Sequence, residues 1–166
     1  MGYDWRETLV HFARISSVLA GFCVTFVALI LGGRIADYEI YTSESWSSGV
    51  TFGQSAILLF GIAAGLFICS AELFLLAKEY DVFSIPEPYR KLLKEDCKQK
   101  DIDWSEFEEE QTDRCKRNEE LGRIFYNSAI FVLFGGLFLA IVPYNALIAI
   151  VVSSLGIVLE VWQILR

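Results

Sequence analysis

The stretch that decides the fold is FGQSAILLFGIAAGLFICSAELFLLA, residues 52–77, in which Glu72 is the one charged residue. A helix needs about 20 mostly apolar residues to cross a hydrocarbon core roughly 30 Å thick. Three further stretches meet that length, residues 15–33, 124–142 and 146–165. Lipid offers backbone amides no partner, so each spanning segment must be a helix. The sequence therefore predicts an all-α, polytopic membrane protein, in which four transmembrane helices form a single four-helix domain over the whole chain.

The composition supports this class once it is mapped along the chain. Of the 166 residues, 54% are hydrophobic and 21% are charged, against about 45–50% and roughly 25% in an ordinary soluble domain. The segment 79–120 holds 14 of the 21 acids and 8 of the 14 basic residues. The remainder is overwhelmingly apolar, which excludes a disordered chain, a typical soluble enzyme and a nucleic-acid partner. The expected partner is the lipid bilayer.

The charged segment 79–120 is predicted to be a helical loop between the second and third spans. Residues 89–100 have the pattern of one helix, and a second helix begins after Asp101 or Asp103 and continues into the third span. The spacing Asp101-x-Asp103-x-Ser105 resembles the start of a calcium-binding EF-hand loop. It lacks the glycine at position 6 and the glutamate at position 12 that the loop requires. We therefore predict no metal site and no cofactor.

The distribution of Lys and Arg predicts the orientation in the membrane, because cytoplasmic loops carry the excess of these residues. The loop between the first two spans holds one, Arg34, whereas the segment 79–120 holds eight. We expect a multi-pass protein of the cell membrane with both termini and the charged loop in the cytoplasm.

Ionisable groups inside the spans form a predicted layer near the inner leaflet. Glu72 and Glu160 each lie about six residues from the cytosolic end of a span, roughly 9 Å inside it. At that level the first helix has Arg14, and the third helix begins with Arg123 and Asn127. Such a layer either fixes the helix order through ion pairs, or forms a cation or proton site at the inner mouth of a pathway. Either glutamate is also a candidate contact with a partner helix.

The first helix also carries a stripe of small and polar residues at intervals of 3, 4, 4, 3 and 4. The stripe consists of Arg14, Ser17, Gly21, Thr25, Ala28 and Gly32. Small residues let helices approach closely, so the stripe is a helix-packing face or, around an oligomer axis, the lining of a narrow pore. In the second helix, Gly61-x-x-x-Gly65 has the spacing of another close contact.

The run RISSVLAGF at residues 14–22 resembles a segment of the first helix of the Orai family of calcium channels, with matches at Arg14, Ser16, Leu19, Gly21 and Phe22. The predicted arrangement of four spans, inner termini and a cytosolic second loop is similar as well. The resemblance implies a hexamer whose first helices line the pore.

The resemblance further implies that Arg14 lies in an inner basic section, with Val18, Phe22 and Thr25 in a hydrophobic and hinge section. The position of the family's selectivity-filter glutamate is occupied here by Leu29, and no acid occurs from residue 15 to residue 33. Calcium selectivity therefore does not carry over.

Catalysis has little support in the sequence, and we predict that the protein is not an enzyme. Chemistry inside a membrane needs a nucleophile with a base, paired aspartates, or His and Glu ligands. The one histidine, His11, lies outside the predicted spans, and no span carries two acids.

Two functions remain. The first is a homo-oligomeric ion channel or pore lined by the first helix, with an inorganic cation as the candidate ion. Its candidate lining residues are Arg14, Ser17, Val18, Gly21, Phe22, Thr25, Ala28 and Leu29. The alternative is a non-transporting accessory or immunity protein that docks a partner through its cytosolic loop.

Overall fold

The computed structural model describes residues 5–32, 45–46, 50–82, 85–142 and 145–165. Over these residues the chain is helical apart from one short strand pair. The elements in order are α1 (Trp5–Leu31), β1 (Ser45–Trp46), β2 (Val50–Thr51), α2 (Phe52–Tyr80), α3 (Glu87–Gln99), α4 (Trp104–Ile141) and α5 (Ala146–Leu165). The two strands are antiparallel, with Ser45 opposite Thr51 and Trp46 opposite Val50.

Three helices are long and apolar enough to cross a membrane. Within the described residues these candidate spans are Glu7–Leu31, Gly53–Tyr80 and Trp104–Ile141. Helix α5 has 20 residues, and its apolar stretch with described side chains is Ala146–Val158. A polytopic membrane protein is therefore supported by three helices, and the fourth span stays a prediction.

Helix α4 confirms that the charged helix predicted to begin after Asp101 or Asp103 continues into the third apolar segment without a break. It has 38 residues, which at 1.5 Å per residue is about 57 Å and far more than a bilayer core requires. The sequence places no proline between Trp104 and Ile141. At its start, the Asp103 carboxylate accepts bonds from the Ser105 backbone N–H at 2.9 Å and from the Ser105 hydroxyl at 2.8 Å.

Helix α3 is bounded by local backbone chemistry. Pro86 and Pro88 stand at its start, where a missing N–H does no harm. After its end the Ile102 N–H bonds back to the Cys97 carbonyl at 2.9 Å, across Asp101, which has a φ of 59°. This left-handed residue turns the chain from α3 towards α4.

The chain divides into two compact units, Met1–Ser16 with Cys69–Ile124, and Ser17–Ile68 with Phe125–Arg166. In the first unit the rings of Phe12 and Phe74 stack at 5.3 Å, and the Phe74 ring packs against Gly122. The buried hydroxyls of Ser16 and Ser70 lie 3.4 Å apart, and Ser70 donates to the Gly122 carbonyl at 2.9 Å. A glycine and two serines thus let three helices approach closely.

The second unit has a core of small residues and phenylalanines. Its most buried members include Cys23, Ala56, Phe60, Ala63, Phe67 and Ala129. The Phe26 and Phe60 rings stack at 5.2 Å, and Phe60 also packs against Gly136. The Phe134 ring lies directly over the backbone of Gly156, which brings α5 against α4. In this unit, too, aromatic rings fill the space that glycines leave.

Candidate functional site

Helix α1 divides into a face that packs within its own chain and a face that does not. The packed positions recur at helical spacing and are buried: Leu9, Ala13, Ser16, Ala20, Cys23 and Ile30. Seven of the eight candidate lining residues are exposed: Arg14, Ser17, Val18, Gly21, Phe22, Thr25 and Ala28. The eighth, Leu29, is half-buried. The outward half of α1 therefore carries nearly all of the candidate lining residues.

Four large apolar side chains of α1 are more than half exposed: Val18, Phe22, Val24 and Leu31. Val18 is 61% exposed and Phe22, one turn later, is 58% exposed. Thr25 has its hydroxyl satisfied locally, because it donates to the Gly21 carbonyl at 2.8 Å. This bond uses the one donor of the Thr25 hydroxyl, and the oxygen keeps lone-pair capacity to accept.

The glycines of the predicted packing motifs face away from the described part of the chain. A Cβ placed on Gly21, Gly61 or Gly65 would meet no atom within 4 Å. The close approaches inside the two units use Gly122 and Gly136 instead, where an added Cβ would come within about 3.1–3.4 Å of a phenylalanine ring. The spacing Gly61-x-x-x-Gly65 thus serves no close contact within the described residues, although it remains available to another molecule.

Four side chains of the predicted charge layer lie within the described residues: Arg14, Glu72, Arg123 and Asn127. Arg14 and Glu72 are exposed in the first unit, and within the described residues neither of them makes an ion pair. Asn127 is half-buried in the second unit, and the side chain of Glu160 lies outside the described residues.

Arg123 has a partner that the sequence analysis missed. It pairs with Glu119 at 2.7 Å, and the Glu119 side chain is only 13% exposed. The four-residue spacing of an acid before a base on one helix was the available signal.

A pocket of about 340 Å³ lies in the first unit where α2 ends beside α4. It is lined by Tyr80, Asp81, Val82, Thr112, Cys115, Lys116 and Glu119. Asp81 is 8% exposed, and the Arg114 guanidinium lies 5.8 Å from the centre of the Tyr80 ring. Nothing in the sequence pattern pointed to this pocket, because its residues come from two segments about 30 positions apart.

The charged segment forms a second candidate surface, in which one carboxylate joins α3 to α4. Glu108 accepts a bond from the Trp104 indole at 2.7 Å and forms an ion pair with Arg90 at 2.6 Å. The Lys94 ammonium lies 5.1 Å from the centre of the Trp104 ring. These contacts order the helical hairpin, and they leave Tyr89 and Leu92 exposed on its surface.

A groove of about 550 Å³ lies at the turn of this hairpin. It is lined by Lys94, Lys98, Asp101, Ile102, Asp103 and Trp104. Both ammonium and carboxylate groups line it, so it has no single charge preference. In the part of the chain that the structure describes, no group of three His, Cys, Asp or Glu residues could hold a metal ion.

Comparisons with known proteins add no further assignment. No protein-family model, curated protein or solved structure matches this chain. The functional argument therefore rests on the residues and their geometry.

Proposed function

We propose that this membrane protein acts as a homo-oligomer in which the first helices line an ion conduit. The observation that carries the proposal is the outward orientation of α1, which exposes seven of its eight candidate lining residues. A single chain cannot enclose a pathway with residues that face away from it. A conduit lined by these residues therefore requires several copies around a common axis.

Val18 and Phe22 provide the narrowest part of the proposed conduit. Both are large, apolar and more than half exposed, and one helical turn separates them. Rings of such side chains around an axis form a hydrophobic constriction, which gates ion flow by losing its water. Arg14 lies one turn further towards the N-terminus, as the Orai-like run implies.

The candidate ion is an inorganic cation without calcium preference. A calcium filter needs several oxygen ligands, commonly carboxylates. At the corresponding position α1 has Leu29, which is half-buried. The excess of Lys and Arg in residues 79–120 supports an orientation with both termini in the cytoplasm. Tags at the two termini that a membrane-impermeant reagent labels in intact cells would contradict that orientation.

The experiment that tests the proposal measures the size of the purified protein in mild detergent and cation flux into liposomes that contain it. We expect an oligomer with measurable flux, and Phe22→Ala should raise the flux by widening the constriction. Val24→Ala is the matched control, because Val24 has the same 58% exposure and lies about 160° around the helix from Phe22. A monomer without flux would overturn the proposal.

A second candidate function is supported by the surface of the hairpin. Helix α3 leaves Tyr89 and Leu92 exposed at 64% and 61%, and their spacing of three residues puts them side by side on the helix, where a partner could contact both. In this alternative the protein is a non-transporting accessory or immunity protein. A Leu92→Glu variant separates the two functions, since it should leave flux unchanged in a channel and abolish partner capture in a docking protein.

A further inference from the structure

The outward faces of α1 and α2 complement each other, and this complementarity identifies a contact between copies. We propose that α1 of one copy packs against α2 of the next copy, with Arg14 of the first paired with Glu72 of the second and Gly21 opposite Gly65. This inference rests on the self-association in the proposed function and is independent of conduction.

The register of α1 and α2 in the first unit supports this contact. Phe12 stacks on Phe74, and Ser16 lies beside Ser70. From the first pair to the second, the chain advances four residues along α1 and goes back four residues along α2. The helices are therefore antiparallel, and Arg14 and Glu72 lie at the same level midway between these pairs. Both side chains are exposed.

The second unit has the same register on its own contacts. Phe26 stacks on Phe60, so Thr25 and Gly61, one residue away on each helix, share a level. Gly21 and Gly65 are each five residues from Phe26 and Phe60, respectively, so they also share a level. All four residues are exposed, and an added Cβ on any of the three glycines would have open space around it.

Residues of α1 and α2 that share a level within one chain also share a level between neighbouring copies. This follows because copies inserted in the same orientation lie at the same depth in the membrane. When α1 of one copy meets α2 of the next, arginine therefore lies opposite glutamate. In the same contact glycine lies opposite glycine. Small residues at a membrane interface let the helix backbones approach closely.

The charges decide between the possible pairings. Contact of α1 with α1 would bring two Arg14 side chains together, and contact of α2 with α2 would bring two Glu72 side chains together. Charged groups in a membrane helix are costly unless they are paired or reach water. Of the three possible pairings of α1 and α2, contact of α1 with α2 is the one that joins opposite charges.

A contact between copies in which each copy contributes a different surface is heterologous. Contacts of this kind repeat from copy to copy and close into a ring when the rotation allows. Arg14 and Gly21 then lie in the contact between copies, where they border the conduit, and the adjoining edge of α1 that carries Val18 and Phe22 faces its axis.

Cysteine cross-linking between differently tagged chains tests the pairing. One chain carries Gly21→Cys and the other Gly65→Cys, both with the exposed Cys69 replaced by Ser, since the other three native cysteines are buried. With an added oxidant in membranes, we expect a disulfide-linked dimer that contains both tags. Each chain has one exposed cysteine, so a bond within one chain cannot produce this result. Dimers that form equally well from Gly21→Cys alone would overturn the inference.

A charge exchange provides the second measurement. Arg14→Glu and Glu72→Arg should each reduce the oligomer in mild detergent, and the variant that carries both changes should restore it. Glu109→Arg, an exposed reversal in the hairpin, is the control and should change nothing. Single variants as oligomeric as the unmodified protein would contradict the inference. Cross-linked rings without flux would overturn the proposed conduit alone, whereas flux without the mixed cross-link would overturn the contact alone.

Discussion

At the residue scale, the hydrogen bonds of Asp103 at the start of α4 follow most directly from the local sequence. The Asp103 carboxylate accepts the Ser105 N–H and then the Ser105 hydroxyl, and these bonds hold the pKa of Asp103 below its ordinary value. A carboxylate with a lowered pKa stabilises the folded state above its unfolded pKa, and this contribution is lost as the pH falls through the lowered folded pKa.

We therefore expect the Ser105 amide resonance to shift on acidification, with a midpoint below that of an ordinary aspartate. An NMR titration of the labelled protein in detergent measures this midpoint. Asp103→Asn keeps an acceptor at the same position and cannot titrate, so the transition should disappear in that variant. A midpoint at or above the ordinary aspartate value would show that the two bonds do not form.

The glycines provide a second prediction at this scale. A Cβ on Gly122 would lie 3.1–3.3 Å from the Phe74 ring, which is buried and stacked on Phe12 and so has little room to move. Gly122→Ala should therefore destabilise the protein by about 1–3 kcal/mol, the usual cost of overpacking. Thermal unfolding in detergent measures the loss.

The matched control for that substitution is Gly135→Ala, because its Cβ would meet only the end of the Leu59 side chain, at an ordinary contact distance of 3.4 Å. Alanine is the better helix former by about 0.5–1 kcal/mol, so the monomer should be at least as stable as before. If the two variants lost the same stability, the close contact between Phe74 and Gly122 would be wrong.

At the element scale, the hairpin of α3 and α4 depends on one carboxylate. Glu108→Ala removes both the ion pair with Arg90 and the bond from the Trp104 indole. Since both members of the ion pair are less than a third exposed, we expect a loss of about 1–3 kcal/mol in hairpin stability. Hydrogen exchange over Glu87–Gln99 should become correspondingly faster.

Glu110→Ala is the control for the hairpin. It removes an exposed pair with Arg114 on a single helix, and such solvent-screened pairs contribute little to stability. Exchange in α3 should therefore remain close to that of the unmodified protein. Equal acceleration by the two substitutions would mean that Glu108 does not join the helices.

The elements also show what the sequence could predict. Helix α4 was predictable across the boundary between charged and apolar residues, because an uninterrupted helical pattern without proline crosses it. The partner of Arg123 was within reach through the spacing of Glu119. The sequence could not predict which glycines form close contacts. Gly122 and Gly136 pack against phenylalanine rings that are distant in the sequence, whereas Gly61 and Gly65 have the right spacing but no contact within the described residues.

At the scale of the whole molecule, the candidate lining residues could be predicted as one group, since helical periodicity places them on one face. Periodicity does not determine which way that face points, because a stripe of small residues suits a contact within the chain as well as a contact with another molecule. The structure turns it outward on α1 and leaves Arg14 and Glu72 exposed at one level. The contact proposed between copies would pair these two charges.

The central claim is that the outward face of α1 lines an ion conduit, and modification of a single cysteine tests it most directly. Phe22→Cys in the Cys69→Ser background is reconstituted into planar bilayers and exposed to a charged thiol reagent. Val24→Cys in the same background is the control on the other edge of α1. We expect the reagent to change the current through the Phe22→Cys protein and to leave the current through the Val24→Cys protein unchanged. A current that the reagent leaves unaltered in both proteins would contradict the claim.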